Sequence, residues 1–296
     1  ISNGRPAAKI LFSFYQIVAQ VGETYNVQYP PAYRGIVNVL QVLTFKVTKV
    51  LPSLPLQCLS PDLRDQLLYV NLLPLAVIAA VVVVGATRNY LHQREHGESL
   101  SAAILPLLPT VLVLLFVFVP PVSSIAFRAL APCECFSYDV SPAGTDDSVV
   151  CFLSTDRSVV CERYADDAYH APPPVLGAAI AVVVVWAGCV PLFFAWLLFV
   201  ARGSASRKQS PTALSRALFV LTDGYDPRFF WWELFELFRK LLLVGFLALI
   251  TPGSLLQQFI GVVATLSLFA IELYIRPFDS HVKTFLSLTS GFALVL

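Results

Sequence analysis

The chain has 296 residues, of which 57% are hydrophobic and only 13% charged, and its formal net charge is +1. Soluble domains carry about 25% charged residues, so this composition, with a mean hydropathy of +0.72, excludes an ordinary soluble domain and predicts an integral membrane protein. The near-zero charge says nothing about nucleic acid, and with no basic tract to bind it no nucleic-acid partner is expected.

Residues 1–8 are polar, with Arg5 and Lys9 as positive flanks. Residues 10–21 are apolar and, with 22–28, reach roughly the 20 residues of a spanning helix. Gln16, Gln20 and Glu23 follow helical spacing there and face neighbouring helices rather than lipid. Tyr29-Pro30-Pro31 breaks the segment. Residues 36–51 are interrupted by Asn38, Gln41, Lys46 and Lys49, a pattern that predicts an amphipathic interfacial helix. A loop with Cys58 covers 52–61. Residues 67–86 form a strong span, 88–99 a short polar connection, and 102–119 the next span, closing at Pro120-Pro121. Residues 123–172 are the one sizeable polar region. A long span over 175–200 contains Pro191, where a kink is expected, and its Gly177 and neighbouring alanines suit close helix packing. Residues 202–216 are polar and basic.

Residues 223–250 organise the rest. Asp223-Gly224 and Asp226-Pro227 form a turn, Phe229, Phe230, Trp231 and Trp232 follow, and an unbroken apolar run ends the segment. Aromatic rings, then charges, then apolar residues describe a helix entering a bilayer from its interface. Glu233, Glu236 and Lys240 lie at i, i+3 and i+7 and share one narrow helical face, with Arg239 in reach of Glu236. Their expected depth is interfacial, where such charges snorkel or pair. Thr251-Pro252-Gly253-Ser254 turns tightly, 255–275 spans again, and Lys283 begins a seventh span. The expected fold is therefore all-α: a single transmembrane bundle over 1–296 with about seven membrane helices. The start at Ile1, the lack of Met and the apolar end at Leu296 predict a piece of a longer protein.

Basic residues orient this bundle. Arg5 and Lys9, Arg88 and Arg94, the cluster Arg202, Arg207, Lys208 and Arg216, and finally Arg276 and Lys283 all fall on one side, which should be cytoplasmic. The opposite side receives Cys58 and the loop 123–172. That loop carries Glu134, Asp139, Asp146, Asp147, Asp156, Glu162, Asp166 and Asp167 against Arg128, Arg157 and Arg163. It also carries Cys133, Cys135, Cys151 and Cys161. An oxidising exterior predicts one or two disulfides, tying Cys58 to the loop or closing the loop itself; the pairing cannot be read from spacing. A metal reading of Cys133-x-Cys135 is weaker, because the spacing is not that of a zinc site.

His92-Gln-Arg-Glu95-His96 matches a zinc-peptidase pattern, but it lies in a short cytoplasmic connection and is a chance match. No phosphate loop, nucleophile elbow or Ser/His/Asp arrangement is present, so neither an enzyme nor a bound cofactor is expected. Glu272 precedes Arg276 by four residues. The expectation is an i, i+4 pair at the interface; the competing reading is an ion-coordinating or gating carboxylate.

Five phrases occur together: Lys9-Ile-Leu-Phe-Ser-Phe-Tyr-Gln16, Tyr25-Asn-Val-Gln-Tyr-Pro30, Leu54-Pro-Leu-Gln-Cys-Leu59, Phe127-Arg-Ala-Leu130, and Phe229-Phe-Trp-Trp-Glu233 running to Arg239-Lys240. With them the chain resembles the TRP-like polytopic membrane region of large protist and algal surface proteins, in which a Cys-rich ectodomain commonly precedes the bundle. The resemblance implies a plasma-membrane helix bundle of cation-channel or transport type, in contact with lipid and with homo-oligomeric or larger assemblies. The Thr251 to Ser254 turn leaves no room for a pore loop in its own hairpin. That favours the alternative, a non-conducting anchor holding an extracellular assembly.

Overall fold

Sustained apolar composition over about 20 residues or more forces helices, because a backbone inside a bilayer must satisfy its hydrogen bonds internally. The computed structural model describes residues 4–25, 30–43, 63–93, 104–139, 147–164, 168–207 and 217–295. Among these, four helices are long and apolar enough to cross a membrane: Leu63–Leu91, Leu105–Ala129, Pro173–Val200 and Leu255–Ile275. Of the seven expected spans, four are thus supported by length and composition among the described residues. The other three segments are not, for separate reasons. Helix α1 (Gly4–Thr24) carries Arg5, Lys9 and Glu23. The segment after Lys240 loses its α-helical geometry, and the helix His281–Val295 runs to the end of the described residues.

After α1, α2 (Pro31–Leu43) starts on the proline that breaks the chain. It folds back along α1, the Gln41 side chain donating to the Ala19 carbonyl at 3.2 Å. The expected interfacial helix over 36–51 thus begins earlier, and its Lys46 and Lys49, like Cys58, lie outside the described residues. Helix α3 (Leu63–Gln93) includes Arg88, which was expected in a polar connection. Only 17% of its most apolar stretch is buried within the protein, which leaves an extensive apolar surface of the kind a lipid environment suits.

Helix α4 (Leu108–Ala129) is the most enclosed of the four spans, with Leu112, Val119, Val122 and Ala126 fully buried. It does not close at Pro120-Pro121 but continues two turns further, taking 123–129 out of the expected loop. Pro121 has no N–H to give the Val117 carbonyl. The Gln16 amide of α1 donates to that carbonyl instead, at 2.9 Å. A foreign side chain thus repairs the proline gap, and α4 stays helical.

Beyond α4 the chain is not a loop but a small β layer, a correction to the all-α expectation. Strands β1 (Cys133–Asp139), β2 (Asp147–Leu153) and β3 (Asp156–Val160) form an antiparallel sheet in that order, and β4 (Glu162–Arg163) pairs β5 (Tyr169–His170). Cys133 bonds Cys161, and Cys135 bonds Cys151 directly across the β1–β2 ladder. Leu63 of α3 packs on Cys151, Leu153 and Cys161, and Thr155 donates to the Arg128 carbonyl at 2.7 Å, seating the layer on the ends of α3 and α4. The disulfides place this end in an oxidising, extracellular-type compartment. Cys151 and Cys161 are both buried, but their partners differ, Cys135 being exposed and Cys133 only half-exposed, and thiolate attack needs access. Mild reductant should therefore open Cys135–Cys151 first, read by differential alkylation and peptide mass; opening of Cys133–Cys161 first would contradict this placement.

Helix α5 (Pro173–Val183) passes through a π turn, Val184–Cys189, into α6 (Val190–Arg207). The irregularity lies one turn before Pro191, where widening relieves the clash between the proline ring and the carbonyl four residues earlier. Cys189 sits in that turn as a free thiol. A short helix α7 (Phe219–Thr222) leads to α8 (Trp232–Lys240), which gives way to a π turn, Leu241–Gly245, and a 3-10 turn, Phe246–Leu249. Helices α9 (Leu255–Ile275) and α10 (His281–Val295) complete the bundle. At the end opposite the sheet, Asp226 N–H donates to Pro277 O at 2.8 Å and Asp279 N–H to Gly224 O at 3.2 Å, clasping the two connections together. Gly224 has φ +92, and a Cβ there would lie 2.7 Å from Pro6 Cβ. Both facts require glycine.

A buried charge network as candidate functional site

The face shared by Glu233, Glu236 and Lys240 turns inward, and Arg239 is drawn in with it. Glu233 is 1% exposed, Glu236 and Arg239 5%, and Lys240 0%, so these groups are enclosed by protein. Helix α8 is short and strongly amphipathic, and its polar face meets the polar face of α1. On α1, Lys9, Ser13, Gln16 and Gln20 follow helical spacing and line one side.

Lys9 of α1 pairs with Glu233, whose Oε2 also accepts from the Tyr225 hydroxyl at 3.1 Å. Tyr225 lies in the turn before α8; burial first, then the Glu233 carboxylate, raises its phenol well above the ordinary value. Lys240 donates to Gln16 Oε1 at 2.8 Å and stands 3.5 Å above the Phe116 ring centroid, a cation–π contact. Gln16 therefore serves two masters, the Val117 carbonyl and the Lys240 ammonium.

Arg239 is the centre of the other half. Its Nη2 lies 2.8 Å from Glu236 Oε2 and its Nη1 3.0 Å from Glu272 Oε2 on α9. The second Glu272 oxygen accepts from Ser287 of α10. The guanidinium fork thereby joins two carboxylates from different helices, which a lysine could not do at the same geometry. Three cations, Lys9, Arg239 and Lys240, face three carboxylates, Glu233, Glu236 and Glu272, and their formal charges cancel.

Glu272 does not pair with Arg276. Arg276 is exposed and left-handed (φ 46), ending α9 with its backbone N–H on the Glu272 carbonyl, so its side chain points away from the network. Among the expected cluster residues, Glu233, Glu236, Arg239, Lys240 and Glu272 are thus brought together and Arg276 is not. Lys9, Ser13, Tyr225 and Ser287 join them without having been singled out. Lys9 and Ser13 carried a legible signal, the i, i+4, i+7 spacing with Gln16; Ser287 carried none.

At the other end of α1, Glu23 bonds Arg128 at 2.6 Å. Nearby, Gln257 donates to the carbonyls of Thr24 and Leu247, both at 2.9 Å, while Thr24 donates to Val244 O at 3.2 Å. These side chains satisfy carbonyls released where the helix after Lys240 changes geometry. Among the described residues no trio of His, Cys, Asp or Glu is placed to hold a metal. Compared with protein-family models, with curated proteins and with solved structures, the chain gives no match.

Proposed function

We propose that the chain is a TRP-like integral membrane protein of cation-channel or transport type, resident in the plasma membrane, with residues 202–228 cytoplasmic and the disulfide-bonded sheet outside. The observation that supports this reading is the network of six ionisable groups between α1, α8 and α9, five of them buried and Lys9 half-buried. Buried ion pairs contribute little net stability compared with apolar packing of the same volume, and ionisable groups within a membrane bundle commonly serve a function. In this reading the network holds the bundle in a closed arrangement, and opening separates some of its pairs.

The test is cation flux into liposomes carrying the purified chain. Wild type should exceed empty vesicles, and Glu236→Gln, which weakens the link to Arg239, should raise or lower the flux several-fold. Flux at the empty-vesicle level for both proteins would reject the reading.

A second reading has its own support. The network is internally paired and the cavity beside it measures only about 10 Å³, as suits a packed, non-conducting anchor for an extracellular assembly. In that case Glu236→Gln changes stability or partner retention and no flux appears.

A further inference from the structure

The cavity beside the network has a volume of about 10 Å³, the least that a single water needs. Three of its lining residues each bury one polar atom without a protein partner: Glu233 Oε1, Glu236 Oε1 and Arg239 Nε. Their remaining polar atoms are engaged, Glu233 Oε2 by Lys9 and Tyr225, Glu236 Oε2 by Arg239, and the two terminal guanidinium nitrogens by Glu236 and Glu272. Two acceptors and one donor are thus left over, facing a space of one small molecule. Leaving each unmet costs about 1–3 kcal/mol, more for charged groups.

The arithmetic distinguishes ligands. A metal cation would satisfy both carboxylate oxygens but would meet the Arg239 N–H and the neighbouring Lys9 ammonium, and it would give a positive charge to a network whose formal charges cancel. An anion would meet two carboxylate oxygens. A neutral molecule with two O–H donors and a free lone pair matches all three groups. We propose that this cavity is a built site for one water molecule, which donates to Glu233 Oε1 and Glu236 Oε1 and accepts from Arg239 Nε. Ser13 of α1 lines the same cavity and brings a hydroxyl to it. The water then ties both carboxylates of α8 to the guanidinium that reaches α9. This assignment holds whether or not the chain conducts.

The full chain in lipid nanodiscs, labelled with ¹⁵N-arginine, provides the test. Water-to-protein magnetisation transfer should give a signal at Arg239 Nε, and high-resolution cryo-EM should show one density within hydrogen-bond distance of the three atoms. Ser13→Leu, which fills the cavity, should abolish that signal. Should Ser13→Leu fail to fold, the wild type decides alone: no transfer and no density would overturn the proposal. A parallel titration of the wild type with sodium, potassium, lithium and calcium chlorides, against choline chloride, should leave Tm unchanged. A saturable rise in Tm with one metal would overturn the water assignment in favour of a cation.

Discussion

Arg239→Ala is expected to destabilise the folded bundle by about 3–5 kcal/mol, the cost of leaving buried charges without their partner. The alanine removes the one group that meets Glu236 at 2.8 Å and Glu272 at 3.0 Å. Both carboxylates are buried, and Glu272 keeps only Ser287. Thermal unfolding in nanodiscs should show the loss directly. Arg239→Lys should fall between wild type and alanine, because it keeps the charge but replaces the fork with a single ammonium. An Arg239→Ala protein within about 1 kcal/mol of wild type would mean that water screens the pairs as it does on an exposed surface, and the network would then not be the buried unit described above.

Gly245→Val should be the second severe change. A Cβ at Gly245 would stand 2.6 Å from Phe127 Cδ2 and 2.7 Å from Cε2. The Phe127 ring has little room to retreat, since it is 2% exposed and packs on Phe246 with centroids 4.7 Å apart. Overpacking of this kind costs about 1–3 kcal/mol. Gly245→Ala should lose less, because it brings the Cβ against Phe127 without the two γ-methyls of valine. Trimming the ring gives the specific check: Gly245→Val combined with Phe127→Leu should be more stable than the sum of the single changes, as neighbours in contact are not additive. Simple additivity would remove the clash as the explanation.

The same contact bears on one of the expected spans. Residues 241–250 are as apolar as any spanning helix, but the approach of Gly245 to Phe127 goes with a π turn and a 3-10 turn that apolar content cannot reveal. Composition located the four strong spans because lipid-facing residues report their own environment. Span parity and the basic residues set Cys133, Cys135, Cys151 and Cys161 together at one end, but not their pairing, which depends on the β1–β2 register that sets Cys135 opposite Cys151. The spacing of Glu233, Glu236 and Lys240 exposed a common face. Its enclosure by protein was not legible, because it comes from α1, 224 residues away in sequence at the Lys240–Gln16 contact. Glu272 shows the limit of local rules: its nearest cation in sequence is four residues off, yet it pairs across helices with Arg239.

The cancellation of charge within the network bears on how the bundle responds to voltage. A potential of 100 mV acts on a free elementary charge with about 2.3 kcal/mol. Three cations and three carboxylates moving together present no net charge to that field. Helix α1 adds to this electrical silence, since Lys9 and Glu23 oppose each other at its two ends and each is matched by a partner on another helix. The membrane potential therefore acts on the network only where its pairs come apart, and a displacement of the six groups as one body would not respond to it.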